Sequence, residues 1–272
     1  MSIRHAPYED DAVFEIGLRP IEDEAGWLEG GEDAPRKDAL FAAAPEAVWG
    51  ELEGSRPGQA EAAEMVRRAA GGILAPGLPP LLAAARLVSD DLVLMERAEG
   101  HWRVSALSLC SGTFFTAQDA LGKSLDALHA PAAPGITPAL MERTRRIFDH
   151  IPAGKIVQRR NWTVVSSDAL HLPDPAPMRA LIAAIDPARA GDELLIRVER
   201  QTLRRLPLTG GVLFTIRVWL HPLSDLKADP VRLAAFAAAW RGADPAFRAY
   251  KQLHLYDALV DAFFRQAVET QG

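Results

Sequence analysis

Five arginines crowd around one glutamate in the stretch from 194 to 220, LLIRVERQTLRRLPLTGGVLFTIRVWL: Arg197, Arg200, Arg204, Arg205 and Arg217 about Glu199. A guanidinium is a planar fork of donors that grips a carboxylate or phosphate through two parallel hydrogen bonds. A single carboxylate among such groups should stay ionised, because opposite charge favours its charged form. The pattern therefore fits an anion-binding face with one functional carboxylate, and it fits equally a solvated sheet face with one ion pair. Period-two alternation sets the positions. Leu194, Ile196 and Val198 share one face of the first run, with Arg197, Glu199 and Gln201 opposite; Val212, Phe214, Ile216 and Val218 stand opposite Leu213, Thr215, Arg217 and Trp219 in the second. Pro207, Gly210 and Gly211 mark the turn between the runs. The expectation is one charged face that gathers these arginines around Glu199.

A second group lies at Arg159-Arg160-Asn161-Trp162. On a strand, Arg159 and Asn161 project from one face and Trp162 from the other. An arginine and an amide on a common face can bind a carboxylate; the plainer reading is a buried tryptophan anchor with solvated polar neighbours. None of the seven histidines stands in a paired metal-ligand spacing such as HExxH, so a multi-histidine centre is not signalled. His129 has the distinctive context LGKSLDALHAPAAPG, at the end of a short helix beside a proline-stiffened loop. Such a loop can hold one imidazole at a fixed angle, as a single axial bond to iron requires. A histidine facing the negative end of a helix dipole is the plainer alternative. The run from Ala117 to Ser124 loosely matches a phosphate loop, but Asp119 puts negative charge where a phosphate would lie and Leu121 is bulky.

The elements that must carry these groups are those of an ordinary globular chain: 272 residues, 49% hydrophobic and 24% charged. A net charge of −6 gives no global attraction to nucleic acid or anionic membrane, so any anion site is local. The single cysteine, Cys110, excludes an intramolecular disulfide and a thiolate cluster; it ends an apolar run and reads as an inert buried thiol. The N-terminus lacks a signal-peptide layout and no apolar run is long enough to span a bilayer, which points to a reducing, cytoplasmic compartment.

Strand-like runs fall at 90–97, 101–110, 155–165, 194–203 and 211–220. Helical spacing falls at 36–43, 59–70, from Pro79-Pro80 through about Val88, 118–129, from Thr137-Pro138, 177–185, 230–241 and 246–268 with a break. Strands and helices do not alternate strictly, which favours an α+β fold: an antiparallel sheet of about five strands with flanking helices and a helical C-terminal segment. The expected organisation is an extended N-terminal arm over 1–58, a core over 59–225 and a C-terminal helical segment over 226–272 packed on it.

The run ERQTLRRLP (199–207) followed by FTIR (214–217) resembles the signature of the haem-dependent oxidative N-demethylase family, whose best-known members resemble the catalytic subunit of dimethylamine monooxygenase. Other stretches agree. The chain has a Gly-Leu and then a Trp-Leu element before its first helix, Arg-x-Asn-Trp at Arg159, Asn161 and Trp162, and Gly122-Lys123 followed by Leu128-His129-Ala130-Pro131-Ala132-Ala133-Pro134. It departs from the family pattern in the alanines after Pro131, in one added residue before Pro134, and in lacking the usual tryptophan near Phe114.

The resemblance implies a PAS-like sheet and haem b held by His129 as the axial iron ligand. It implies that arginines of the two strand regions (Arg159 with Asn161, then Arg200, Arg204 and Arg217) meet the haem propionates. Glu199 is then the carboxylate that holds a small secondary or tertiary methylamine, which is oxidised with dioxygen to release formaldehyde. The family's catalytic subunit works with a flavin/iron–sulfur reductase and a folate-binding subunit, and electrons would reach this chain from such a separate reductase. The competing expectation is a non-catalytic module of the same fold that binds haem or a small anion as a sensor or scaffold.

Overall fold

The computed structural model describes Ala6, Tyr8 and residues 17–129 and 138–269. The fold is α+β, with a seven-stranded antiparallel sheet in the order β1-β5-β6-β7-β3-β4-β2. The five long strands are those expected from the alternation: β3 (Asp91–Ala98), β4 (His101–Ser108), β5 (Ile156–Val165), β6 (Leu195–Arg205) and β7 (Val212–Pro222). Two short edge strands add to them, β1 (Arg19–Pro20) on β5 and β2 (Trp49–Glu51) on β4. Pieces of two and three residues are too short to show a period, so the count of five was an underestimate.

The helices follow local chemistry. They are α1 (Ala34–Ala43), α2 (Pro45–Val48), α3 (Arg56–Ala70), α4 (Pro80–Ala85), α5 (Ala117–Ala120), α6 (Leu125–His129), α7 (Pro138–His150), α8 (Pro175–Ala184), α9 (Ala190–Glu193), α10 (Pro230–Gly242), α11 (Pro245–Tyr250) and α12 (Asp257–Glu269). Asp-Pro pairs open α8, α10 and α11: Asp174, Asp229 and Asp244 accept from the first free backbone N–H groups, and the following proline needs no donor at its own position.

The helix expected over 118–129 is two. Gly122 takes a left-handed φ of 75° between α5 and α6. Asp119 closes a capping box with Thr116 rather than facing a phosphate. The break expected in 246–268 falls at Gln252, which is left-handed. Among the described residues before 58, α1 covers the helix expected over 36–43, and α2, β1 and β2 add to it. Thr137 and the loop from Ala130 to Pro134 lie outside the described residues.

Directly paired residues of an antiparallel ladder share a face. The pairs Val198↔Trp219, Arg200↔Arg217 and Thr202↔Thr215 therefore lie on one side of the sheet, with Trp162 and Val164 of β5. This first face is fully covered. Trp162 sits in an aromatic nest with Tyr8, Phe236, Trp240 and Phe247, ring centroids 5.4–6.3 Å away. Toward the other end, Leu92, Leu94 and Leu213 pack with α3, α4 and Trp27. The second face carries Arg159, Asn161, Arg197, Glu199 and Gln201 with Phe214, Ile216, Val218 and Leu220. Residues of α5, α6 and α7 cover its Leu203–Val212 end. The remainder, from Phe214 to Leu220, is only half-buried.

Candidate functional site

The structure divides the arginines that were expected on one face. Arg200, Arg204 and Arg217 lie on the first face, away from Glu199, and each is bound to the N-terminal segment. Arg200 donates to the carbonyls of Gly26 (2.8 Å) and Trp27 (2.9 Å). Arg204 pairs with Glu24 and lies over the Trp27 ring, whose indole N–H reaches Thr202 at 3.0 Å. Arg217 is clasped by Glu29 and Asp33, at 3.2 and 2.6 Å. Lys37, buried nearby, spends its ammonium on the carbonyls of Val88 and Asp90. Burial pushes Asp90 up to about 6, and Arg200 at 3.9 Å offsets this only in part. The expectation that these three arginines share one face with Glu199 is corrected by strand parity: even positions of β6, and Arg217 by register with Arg200, point the other way. Arg205 shares the parity of Glu199 but lies at the far end, where it donates to the carbonyls of Phe148 and Ile151 and caps the C-terminus of α7.

Arg159, Asn161 and Glu199 are brought together on the second face. Arg159 donates from Nε to Gln201 Oε1 at 2.6 Å, Gln201 donates to Glu199 Oε2 at 3.0 Å, and Arg197 pairs with Glu199 Oε1. Arg197 also donates to the Ser111 carbonyl at 2.9 Å, so the row runs unbroken from β5 across β6 to the loop after β4. Burial lowers the pKa of Arg197 to about 10, with Asp91 opposing; the same cause acts on Arg159. Asp91 fixes the loop itself, accepting from the backbone N–H of Cys110 (2.7 Å) and Ser111 (2.8 Å) and from the Ser111 hydroxyl. Cys110 is buried as expected, and burial pushes its thiol up to about 12. In the same loop Gly112 has no room for a side chain: a Cβ there would meet the Phe115 carbonyl oxygen at 2.9 Å.

Three side chains at this site were not singled out by the sequence. Asp91 is one. His171 is the second. It follows β5, and its neighbour Leu172 bonds the loop after β4 on both sides: Phe114 N–H to Leu172 O at 2.7 Å, and Leu172 N–H to Gly112 O at 3.0 Å. Both ring nitrogens of His171 are buried without a hydrogen-bond partner, and burial lowers its pKa, with Asp91 opposing. Asn161 Oδ1 is likewise buried and unpaired. The third is Lys251, half-buried on the turn after α11 and lying over the Tyr250 ring at 5.2 Å. It comes within electrostatic reach of Arg197 and Arg159, and burial together with those two charges lowers its pKa to about 7. His129 is the last residue of α6, and the loop that follows it lies outside the described residues.

A half-buried apolar stripe beside a polar row with unpaired buried atoms suits a flat apolar ligand with acidic substituents and a polar centre. Among the described residues no group of three or more His, Cys, Asp or Glu side chains could hold a metal ion. No described helix is long and apolar enough to cross a membrane. The family described as haem-dependent oxidative N-demethylase, alpha subunit-like, matches residues 73–260, which hold all of the second-face residues named here. That match spans about two thirds of the sequence, and the chain belongs to this family.

Proposed function

We propose that this protein is a haem-dependent oxidative N-demethylase that binds haem b against the Glu199 face of a PAS-like sheet and acts on a small secondary or tertiary methylamine. The observation that carries this reading is the open half of that face. Phe214, Ile216, Val218 and Leu220 offer a half-buried apolar surface, and Asn161 and His171 hold polar atoms out of water with no partner. A polar atom buried unpaired costs about 1–3 kcal/mol, which supports a ligand that supplies partners here. A porphyrin does so, with an apolar plane, two carboxylates and a metal.

When bound, haem supplies the oxidation itself, using dioxygen and delivered electrons to turn an N-methyl carbon into formaldehyde. The chain's residues position the reactants. Arg159 and Asn161 meet the acid edge of the cofactor. Glu199, held by Arg197 and Gln201, accepts the N–H of the substrate ammonium; a charge pair of this kind is far stronger in a half-dry site than in water. Arg200, Arg204 and Arg217 have no part in cofactor binding on this reading. On this reading electrons come from a separate flavin/iron–sulfur reductase, as the family resemblance implies.

For the axial ligand the family resemblance supports His129. The buried, unpaired imidazole of His171 supports a second assignment, because iron takes the one free nitrogen lone pair of a neutral ring.

Titration of the protein with hemin tests the reading: a saturable Soret shift at one equivalent supports it, and no shift overturns it. Formaldehyde release that depends on both an added methylamine and a chemical reductant then separates the enzyme from a non-catalytic haem module.

A further inference from the structure

Arg197 has two hydrogen-bonding partners among the described residues: the Glu199 carboxylate, and the Ser111 carbonyl at 2.9 Å. Both charged side chains are long and flexible, so neither fixes the other. The fixed point of the pair is the backbone oxygen of Ser111. The loop that carries this oxygen does not hold its own shape. Gly112 has no room for a side chain, and Phe114 takes a left-handed φ of 69°, which is strained for a bulky residue. Such strain persists only where the surroundings over-determine the backbone. Asp91 is the main anchor on the β4 side. It stands directly opposite Ile216 in the β3–β7 ladder, so it shares the second face with Glu199. Its two oxygens take the N–H groups of Cys110 (2.7 Å) and Ser111 (2.8 Å) and the Ser111 hydroxyl. An amide could not replace it, because its NH2 would face a donor. Asp91 is 1% exposed and makes no ion pair among the described residues. Its charge is also felt at Arg197, where it opposes the effect of burial.

We propose that Asp91 is a positioning residue for the substrate carboxylate: by fixing Ser111 it holds Arg197 against Glu199, and so sets where the Glu199 oxygens meet the substrate ammonium. This rests on the reading above in which Glu199 holds the amine, and it adds a residue from another strand. Asp91 touches neither substrate nor cofactor on this assignment. Asp91→Asn turns one acceptor into a donor that faces a backbone N–H, slackens the loop and frees the guanidinium, while the apolar surface from Phe214 to Leu220 stays as it is.

Two measurements on the full chain test this. In the ligand-free protein, the Arg197 Nε–H resonance, assigned by its loss in Arg197→Lys, reports on the guanidinium. In the hemin-loaded protein, dimethylammonium affinity is followed by its perturbation of the Soret band. Asp91→Asn is expected to move the resonance and to weaken amine binding roughly fivefold, about the worth of one hydrogen bond. In a Glu199→Gln background the same change should cost less than about twofold, because the effect runs through Glu199. Asp119→Asn, which loosens only the Thr116 capping box of α5 further along the loop, should alter neither measurement. If Asp91→Asn does not fold, Ser111→Ala removes only the hydroxyl from the same anchor and should move the resonance the same way by less. An unmoved Arg197 resonance in the folded variant, or an equal loss of amine affinity with and without Glu199→Gln, would overturn the assignment and leave the haem reading intact. A hemin-loaded parent that binds no dimethylammonium would overturn the substrate role of Glu199 and this proposal with it. Failure to bind hemin at all would overturn the haem reading, and the Arg197 resonance alone would then decide whether Asp91 holds the guanidinium.

Discussion

Arg200 and Arg217 sit directly opposite each other across the β6–β7 ladder, and both guanidiniums lie over the ring of Trp219, at 5.6 and 5.4 Å. Like charges in paired positions ordinarily destabilise a sheet. Here the carbonyls of Gly26 and Trp27 take one, the carboxylates of Glu29 and Asp33 take the other, and the indole supplies a negative π face between them. The pair is a clamp for the N-terminal segment, on the side of the sheet away from Glu199.

Arg200→Met should therefore act on stability and not on the site. Removing a buried cation from its partners costs about 3 kcal/mol, read as a lower midpoint in chemical denaturation. The hemin affinity of the folded variant should match that of the intact protein. A selective loss of hemin binding with unchanged stability would return Arg200 to the cofactor side.

Glu199→Gln should separate substrate from cofactor. Hemin binding is expected to stay within about twofold, while the affinity for a methylammonium ligand, followed by its perturbation of the Soret band, falls roughly tenfold or more. A hydrogen bond to a charged group contributes about 1.5–3 kcal/mol. Equal amine affinity in both proteins would remove Glu199 from the substrate site.

His129→Ala and His171→Ala, compared in the ferric state, should identify the iron-bound imidazole. The ligand's variant is expected to show a shifted Soret band and altered spin state, with restoration by added imidazole; the other should keep the parent spectrum. Both variants should bind metal-free protoporphyrin as the parent does, since no bond to iron is then at stake.

The pKa of Lys251 gives a stability prediction for the ligand-free protein. Its folded value, about 7, lies below the unfolded value near 10.4. Between the two the unfolded chain holds more protons, so stability rises with pH across that window, by at most about 1.4 kcal/mol per pH unit for one group. The destabilisation is complete below the folded value and gone above the unfolded one. Denaturation at pH 7, 8 and 9 should show this rise, and Lys251→Met should flatten it while raising stability at pH 7.

Much of the framework was legible because it follows local rules. The five long strands announce themselves by alternation, and Asp-Pro pairs announce three helix starts. The association of Arg159, Asn161 and Glu199 was also legible, since their parity on neighbouring strands puts them on one face. The same parity separates Arg200 and Arg204 from Glu199 and was overridden by nearness in sequence. Arg217 needed the ladder register, which no single strand contains. Asp91, His171 and Lys251 were not legible: they reach the site from a strand end, a connecting loop and a distant helical turn, and only the closed fold brings them there.

The tie between Trp27 and the centre of the sheet bears on how the polypeptide can be divided. The family match begins at residue 73, yet the carbonyls that bind Arg200 and the carboxylates that pair with Arg204 and Arg217 precede it. A fragment trimmed to the matched boundaries would deprive Arg204 and Arg217 of their carboxylates, Arg200 of two carbonyls and Thr202 of the Trp27 indole. Residues 24–33 are thus part of the β6–β7 hairpin's back wall, and heterologous production should include them.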